Sequence, residues 1–260
     1  MKDNLNIVII QADLHWEDKQ KNFEKFSGFL SNVKPNQDIV LLPEMFTTGF
    51  SMNPKHLAEN ADGKTLKWMQ QAAKLNGFAI GGSIIIEEND NFYNRFFFVT
   101  PQGEIHQYDK RHLFRMGNEN QIYTNGSERV IVEYCGWRIM LNICYDLRFP
   151  VWSRNTGDYD LLVNVANFPG SRRIVWNTLL SARAIENQCY VAAANRIGTD
   201  GMNISYTGDS QILNARGQVI SQAPQNEETA IYATLSMSEL KEFREKFPVL
   251  FDVDSFTINI

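Results

Sequence analysis

At 260 residues the chain is long enough for two domains, yet layered α/β folds of this size are often built on one large core, and no linker-like stretch divides it. Hydrophobic residues make up 43%, aromatic residues 12% and charged residues 21%, an ordinary globular balance, and a net charge of −5 argues against a nucleic-acid partner, which needs a basic patch. No run reaches the roughly 18 apolar residues of a membrane span. The N-terminus enters a strand-like run without the apolar core of a signal peptide, and three cysteines and four histidines leave little for a disulfide framework or a metal site, so a reducing cytoplasm is the expected setting.

In chain order, residues 6–11 read as a strand, and residues 18–33 carry Phe23, Phe26, Phe29, Leu30 and Val33 at helical spacing. Residues 38–42 form a continuous apolar strand of the kind buried on both faces, ending at Pro43-Glu44-Met45-Phe46. A carboxylate directly after such a strand is costly to bury unless paired, so Glu44 is either salt-bridged for structure or tuned for proton transfer. Residues 63–76 read as a helix with Leu66, Met69, Ala72, Ala73 and Leu75 inward. Residues 78–86 follow as a buried strand, 89–91 as a hairpin turn and 92–100 as the returning strand. Residues 104–108 extend the pairing and exit into Tyr108-Asp109-Lys110-Arg111-His112-Leu113-Phe114, where Lys110 is either a surface charge or a site cation. Residues 115–128 make a long polar loop, a feature that usually signals function, and contain Glu119.

Residues 129–133 and 137–143 pair across a turn, and the second strand delivers Cys144 into the polar, proline-closed segment Tyr145-Asp146-Leu147-Arg148-Phe149-Pro150. A thiol at a strand end is held by a rigid scaffold while its sulfur stays open to a cleft. The alternative is a small core residue. Residues 160–167 are a strand, 168–173 a loop, 175–188 a helix, 190–195 a strand and 203–209 a polar loop. A hairpin of residues 210–213 and 218–221, a strand over 229–235 and a helix over 237–247 complete the chain. The alternation predicts mixed sheets covered by helices, an α/β fold, and three reactive residue types at three strand ends can meet at one sheet edge.

Together, Leu42-Pro43-Glu44, the segment 108–114 and Asn142-Ile143-Cys144-Tyr145-Asp146-Leu147-Arg148-Phe149-Pro150 resemble the nitrilase superfamily of carbon–nitrogen hydrolases, whose hallmark is a Glu-Lys-Cys triad. Glu119, in Gly117-Asn118-Glu119-Asn120, resembles the second glutamate of that family, and residues 182–188 resemble its helix after the nucleophile strand. The resemblance covers nearly the whole chain. It implies a four-layer α-β-β-α sandwich, one domain over residues 1–260, a homodimer, and neither metal nor organic cofactor. It also implies roles. Glu44 is the proton acceptor and donor, Cys144 the nucleophile that forms a thioester, and Lys110 with the backbone N–H of Tyr145 the oxyanion donors. Glu119 orients the substrate amide and Lys110. Asp146, read from its residue type and place, ties down its own turn.

Within the superfamily, the segment from Cys144 to Pro150 is similar to the omega-amidase branch, which deamidates 2-oxoglutaramate and related monoamides of dicarboxylic acids; Phe114-Arg115-Met116-Gly117 and Phe168-Pro169-Gly170-Ser171-Arg172 add to the likeness. Such a small-molecule substrate carries a carboxylate suited to a guanidinium fork, with Arg172 as first choice and Arg173 as its neighbour. Phe46, Phe114 and Phe168 would supply apolar walls, while Trp176 reads as core. Arg148 is either a second anion binder or a structural salt bridge. Nitrilase or carbamoylase activity, and a non-catalytic binding member, are the alternatives. A rival triad of Cys144, His112 and Asp146 leaves Glu44 and Lys110 unexplained.

Overall fold

In the computed structural model, which describes residues 2–259, the apolar strands gather into two six-stranded sheets. The first runs in the order β14 (Thr229–Ser236), β1 (Asn4–Gln11), β2 (Ile39–Leu41), β3 (Ala79–Glu88), β4 (Asn91–Val99), β5 (Ile105–Asp109). The second runs β13 (Val219–Gln222), β12 (Gln211–Leu213), β9 (Tyr190–Asn195), β8 (Leu161–Ala166), β7 (Trp137–Ile143), β6 (Ile131–Tyr134). Parallel pairs at the centre, β1–β2–β3 and β7–β8–β9, are flanked by antiparallel partners, so both sheets are mixed.

Strand periodicity sets the layers. On β1, Leu5, Ile7 and Ile9 join the core that also holds Ile139, Leu141 and Ile143 of β7. Val8 and Ile10, on the opposite parity, pack with Phe26 and Leu30 of α1 (Lys19–Ser31) and with Leu66 and Met69 of α3 (Lys64–Asn76), beyond the short α2 (Pro54–Leu57). β4 divides the same way, Phe96 and Phe98 against Phe97 and Val99. The first sheet therefore meets the second on one face and helices on the other. α5 (Arg173–Asn187) buries Trp176, Leu180 and Ala184 on the second sheet, completing the four layers.

Several details depart from the sequence reading. Leu75 is 85% exposed, because it falls outside the i, i+3, i+7 series of Leu66, Met69 and Ala73 that α3 buries. The stretch 115–128 is not featureless: a 3₁₀ turn at Arg115–Gly117 and α4 (Glu119–Ile122) meet at Asn118, whose left-handed φ of 59° turns the chain between them. The stretch 203–209, which reads as a polar loop, contains β11 (Ser205–Thr207), the second strand of a hairpin with β10 (Ile197–Thr199) that the pattern does not show. The last helix is α6 (Met237–Lys246). Among the described residues no helix is long and apolar enough to cross a membrane.

Candidate active site

Glu44, Lys110 and Cys144 each follow a strand end, after β2, β5 and β7, and Glu119 opens α4. The side chains of Glu44, Lys110 and Glu119 are wholly buried together. Lys110 Nζ donates to Glu44 Oε1 at 2.8 Å and to both oxygens of Glu119 at 3.0 Å. Asn94 Nδ2, from β4, donates to Glu44 Oε1 at 2.8 Å and reaches Glu119 Oε1 at 3.3 Å. The backbone N–H of Asn167 donates to Glu44 Oε2 at 2.8 Å, and that of Phe114 to Glu119 Oε2 at 2.6 Å. A buried carboxylate is tolerable only with such partners.

Two carboxylates around one ammonium govern the charge states nearby. Burial alone would discharge Lys110, but the charges of Glu119 and Glu44 outweigh it and hold the ammonium above its ordinary pKa. The Glu119 carboxyl is pushed up, by burial first and by Glu44, against the pull of Lys110. The Cys144 thiol is raised well above its usual value by burial and then by the Glu44 charge, which Lys110 offsets only in part. The sulfur therefore rests as a thiol, and ionising it requires a base within reach.

Cys144 sits where β7 passes into a 3₁₀ turn, with a left-handed φ of 45° that is rare for a side chain with a Cβ. Such a sharp strand-to-helix corner lifts a side chain out of the sheet. Asp146 holds the corner: Oδ2 accepts from the Ile143 N–H at 3.0 Å and the Tyr108 hydroxyl at 2.7 Å, while Oδ1 accepts from the His112 N–H at 2.9 Å. His112 also places Nδ1 at 2.8 Å from Asp146 Oδ1 and stacks on Phe149 at 3.7 Å. His112 is thus engaged by Asp146 and Phe149, whereas the charged groups that act on the Cys144 thiol are Glu44, Lys110 and Glu119. Cys144 Sγ instead lies 3.9 Å from the Asn167 carbonyl oxygen.

The sulfur opens on a cavity of about 950 Å³ lined by Lys110, Tyr145, Phe114, Phe168, Asn167 and Arg172 among others. The Arg172 guanidinium lies 4.9 Å from the centre of the Phe114 ring, which packs edge-on to Tyr145 at 5.1 Å. Arg148 lines the same cavity, and among the described residues neither arginine has a carboxylate partner; the structural salt bridge weighed for Arg148 is not formed.

Two expected wall or anchor residues lie elsewhere. Phe46 is not part of the cavity: Met45 has a φ of 44°, and beyond it the Phe46 ring packs edge-on to Phe26 at 5.4 Å, over Gly82, where a Cβ would stand 3.0 Å from it. Arg173 donates from Nε to Asp209 Oδ1 at 2.8 Å, outside the lining. Trp176 is core, donating to the Asp209 carbonyl at 2.9 Å and backing Phe168 at 5.1 Å. Asn94 and Asn167 escaped the sequence reading. The only signal was a polar residue inside or just past an apolar strand, which is common.

The model of the carbon-nitrogen hydrolase family matches residues 6–245. The chain is 46% identical over 254 residues to Omega-amidase YafV of Escherichia coli strain K12, covering 98% of each, and 34% identical over 252 residues to 2-oxoglutaramate amidase of Bacillus subtilis strain 168, covering 95% and 96%. Among solved structures, XC1258 from Xanthomonas campestris, described as a CN-hydrolase superfamily protein with an arsenic adduct in the active site, superposes with a TM-score of 0.96 at 42% identity over the full length of both chains. The motifs at three strand ends, the layered sheets and these likenesses agree: the chain belongs to the carbon-nitrogen hydrolase family.

Proposed function

We propose that the protein hydrolyses the terminal amide of a short omega-monoamide of a dicarboxylic acid, 2-oxoglutaramate or a close analogue, to the acid and ammonia through a thioester on Cys144. The observation that carries this reading is Lys110 clamped between Glu44 and Glu119 beside the cavity that holds Cys144, with Arg172 on the wall and, among the described residues, without a carboxylate partner. The names of the relatives from Escherichia coli and Bacillus subtilis support the same substrate class.

In the proposed reaction the Cys144 sulfur forms a bond to the amide carbon as its proton passes to Glu44, and the carbonyl electron pair moves onto oxygen. Lys110 and the Tyr145 N–H receive that oxyanion, where loss of one donor typically costs about 3 kcal/mol of barrier. The C–N bond then breaks, nitrogen takes the proton from Glu44 and leaves as ammonia, and the acyl group stays on sulfur. A water molecule, deprotonated by Glu44, attacks the thioester; the C–S bond breaks and the sulfur regains a proton. Glu119 keeps Lys110 aimed and binds the amide nitrogen. Arg172 takes the distal carboxylate, between walls of Phe114 and Phe168.

The same reading takes residues 1–260 as one hydrolase domain, supported by a core that runs through both sheets. It places the enzyme in the cytoplasm, where the unpaired Cys135, Cys144 and Cys189 would stay reduced. It makes the working unit a homodimer, for which the exposed Ile174 and Ile185 of α5 offer apolar surface. The test is ammonia release from glutaramate-type acids, neutral amides, nitriles and carbamoyl amino acids. Acidic omega-amides are expected to be the best substrates by kcat/KM; a nitrile or carbamoyl compound turned over faster would overturn the assignment.

A further inference from the structure

The cavity holds more than a five-carbon acid amide fills. Its volume of about 950 Å³ lies near the upper end of the range, roughly 300–1,000 Å³, found for drug-sized ligands. Part of its wall comes from the β10–β11 hairpin, through Met202, Ile204 and Tyr206, and from Trp16, which reaches the cavity from the loop after β1. How far that hairpin stands from the rest of the wall fixes the size of the compartment.

The hairpin is stiff at its base and at its turn. Arg196, fully buried, donates from Nη2 to Asp13 Oδ1 at 2.7 Å, and its guanidinium lies 4.7 Å from the centre of the Tyr206 ring. Asp200 closes the turn by accepting from the N–H groups of Met202 and Ile204 at 2.8 and 3.0 Å and from the Tyr206 hydroxyl at 2.8 Å. At the tip, Gly201 lies flat on the Trp16 indole: a Cβ there would stand 2.3 Å from Nε1 and 2.5 Å from Cδ1. Gly201 is not among the residues with positive φ, so close approach, not backbone conformation, is what demands glycine. The six-membered ring of the same indole meets Gly49, where a Cβ would be 3.1 Å from Cε3.

We propose that the Gly201–Trp16 contact is a latch that sets the length of acyl chain the enzyme accepts, by holding the hairpin as the outer wall of the cavity. The proposal rests on the amidase reading above. Any side chain at position 201 must move the indole or lift the hairpin, and lifting the hairpin enlarges the compartment. Trp16 and Gly201 act here as positioning residues for specificity, remote from the reacting atoms.

The experiment compares wild type with Gly201→Ala on a series of omega-monoamides from succinamate through glutaramate to suberamate, together with hydrogen exchange over residues 197–207. Wild type should accept the shorter acids and lose kcat/KM at the longest members, where the chain meets the hairpin wall, and Gly201→Ala should shrink that loss about tenfold, the order of selectivity that one methylene carries in a pocket, with faster exchange in the hairpin. Alkylation of Cys144 by iodoacetamide should stay unchanged, which separates a moved wall from a damaged centre. A Gly201→Ala profile parallel to wild type overturns the latch, as does unchanged exchange. Should Gly201→Ala not fold, Trp16→Phe removes the indole edge that Gly201 touches and must move the profile the same way. A wild type that cleaves none of the series overturns the amidase reading and the latch with it, whereas parallel profiles from an active wild type overturn the latch alone.

Discussion

Two charge clusters in this protein share one plan and differ in their surroundings. Lys110 stands between two carboxylates, Glu44 and Glu119, and Asp160 stands between two guanidiniums, Arg138 and Arg244. The first cluster is dry, with side-chain exposure of 0% throughout; in the second, Arg138 is 36% and Arg244 17% exposed. Each carries one charge in excess. Water screens the spare guanidinium of the second, and the cluster simply fastens α6 to the start of β8 and to β7. The spare carboxylate of the first has no such outlet, so it acts on its neighbours, raising the Cys144 thiol and holding Lys110 charged. Where the excess charge is kept from water it sets the charge states of its neighbours.

The comparison breaks most visibly at the sulfur. Cys144→Ala removes the proposed nucleophile without touching either ion network, so ammonia release should fall by at least about 10⁴-fold while the thermal midpoint moves little. Near wild-type turnover in the purified variant would refute the assignment. Glu44→Gln keeps the shape and deletes the proposed base, and should cost about 10²–10⁴-fold in kcat.

Much of this was legible in the chain. The doubly buried strands advertise themselves as continuous apolar runs such as Ile39 to Leu42, whereas glutamate, lysine and cysteine at strand exits each have an ordinary structural reading and point to a site only as an ordered set that resembles a family hallmark. What escaped reading depends on direction. Phe46 follows Glu44 so closely that it reads as a cavity wall, but the left-handed residue at Met45 sends its ring into the helix-side core. Arg172 and Arg173 are adjacent and chemically alike, and only the three-dimensional placement of Asp209 separates them. Asn94 and Asn167 carry hydrogen bonds to Glu44 that no spacing encodes, since β4 and β8 reach it from different sheets.

Arg172 sharpens the comparison from a third side, being a guanidinium without a carboxylate partner among the described residues. Arg172→Ala should raise KM for acidic omega-amides about 10–100-fold, the equivalent of one charge-assisted pairing of roughly 1.5–3 kcal/mol. Neutral short amides should be little affected, since they never meet the guanidinium. Equal losses on both classes would move the carboxylate site elsewhere, with Arg148 the next guanidinium on the same wall.

The smallest effect on turnover is expected at the wet cluster. Burial by itself pushes the Asp160 carboxyl up, but the hydrogen bonds and charges of Arg138 and Arg244 outweigh it, and its pKa lies below the ordinary carboxylate value. A group whose pKa is lower folded than unfolded stabilises the fold above its unfolded pKa, about 3.9 for aspartate, and loses that contribution as pH falls through the folded value. Asp160→Asn should therefore lower stability by about 1–3 kcal/mol at neutral pH, discounted toward the lower figure because Arg138 is partly in water. Below about pH 4 the gap between variant and wild type should close, as protonation removes the same charge from both. Kcat/KM on every amide should match wild type at temperatures where both are folded. A variant that keeps full stability but loses turnover would tie this cluster to the chemistry after all, and the division between dry and wet charge would have to be redrawn.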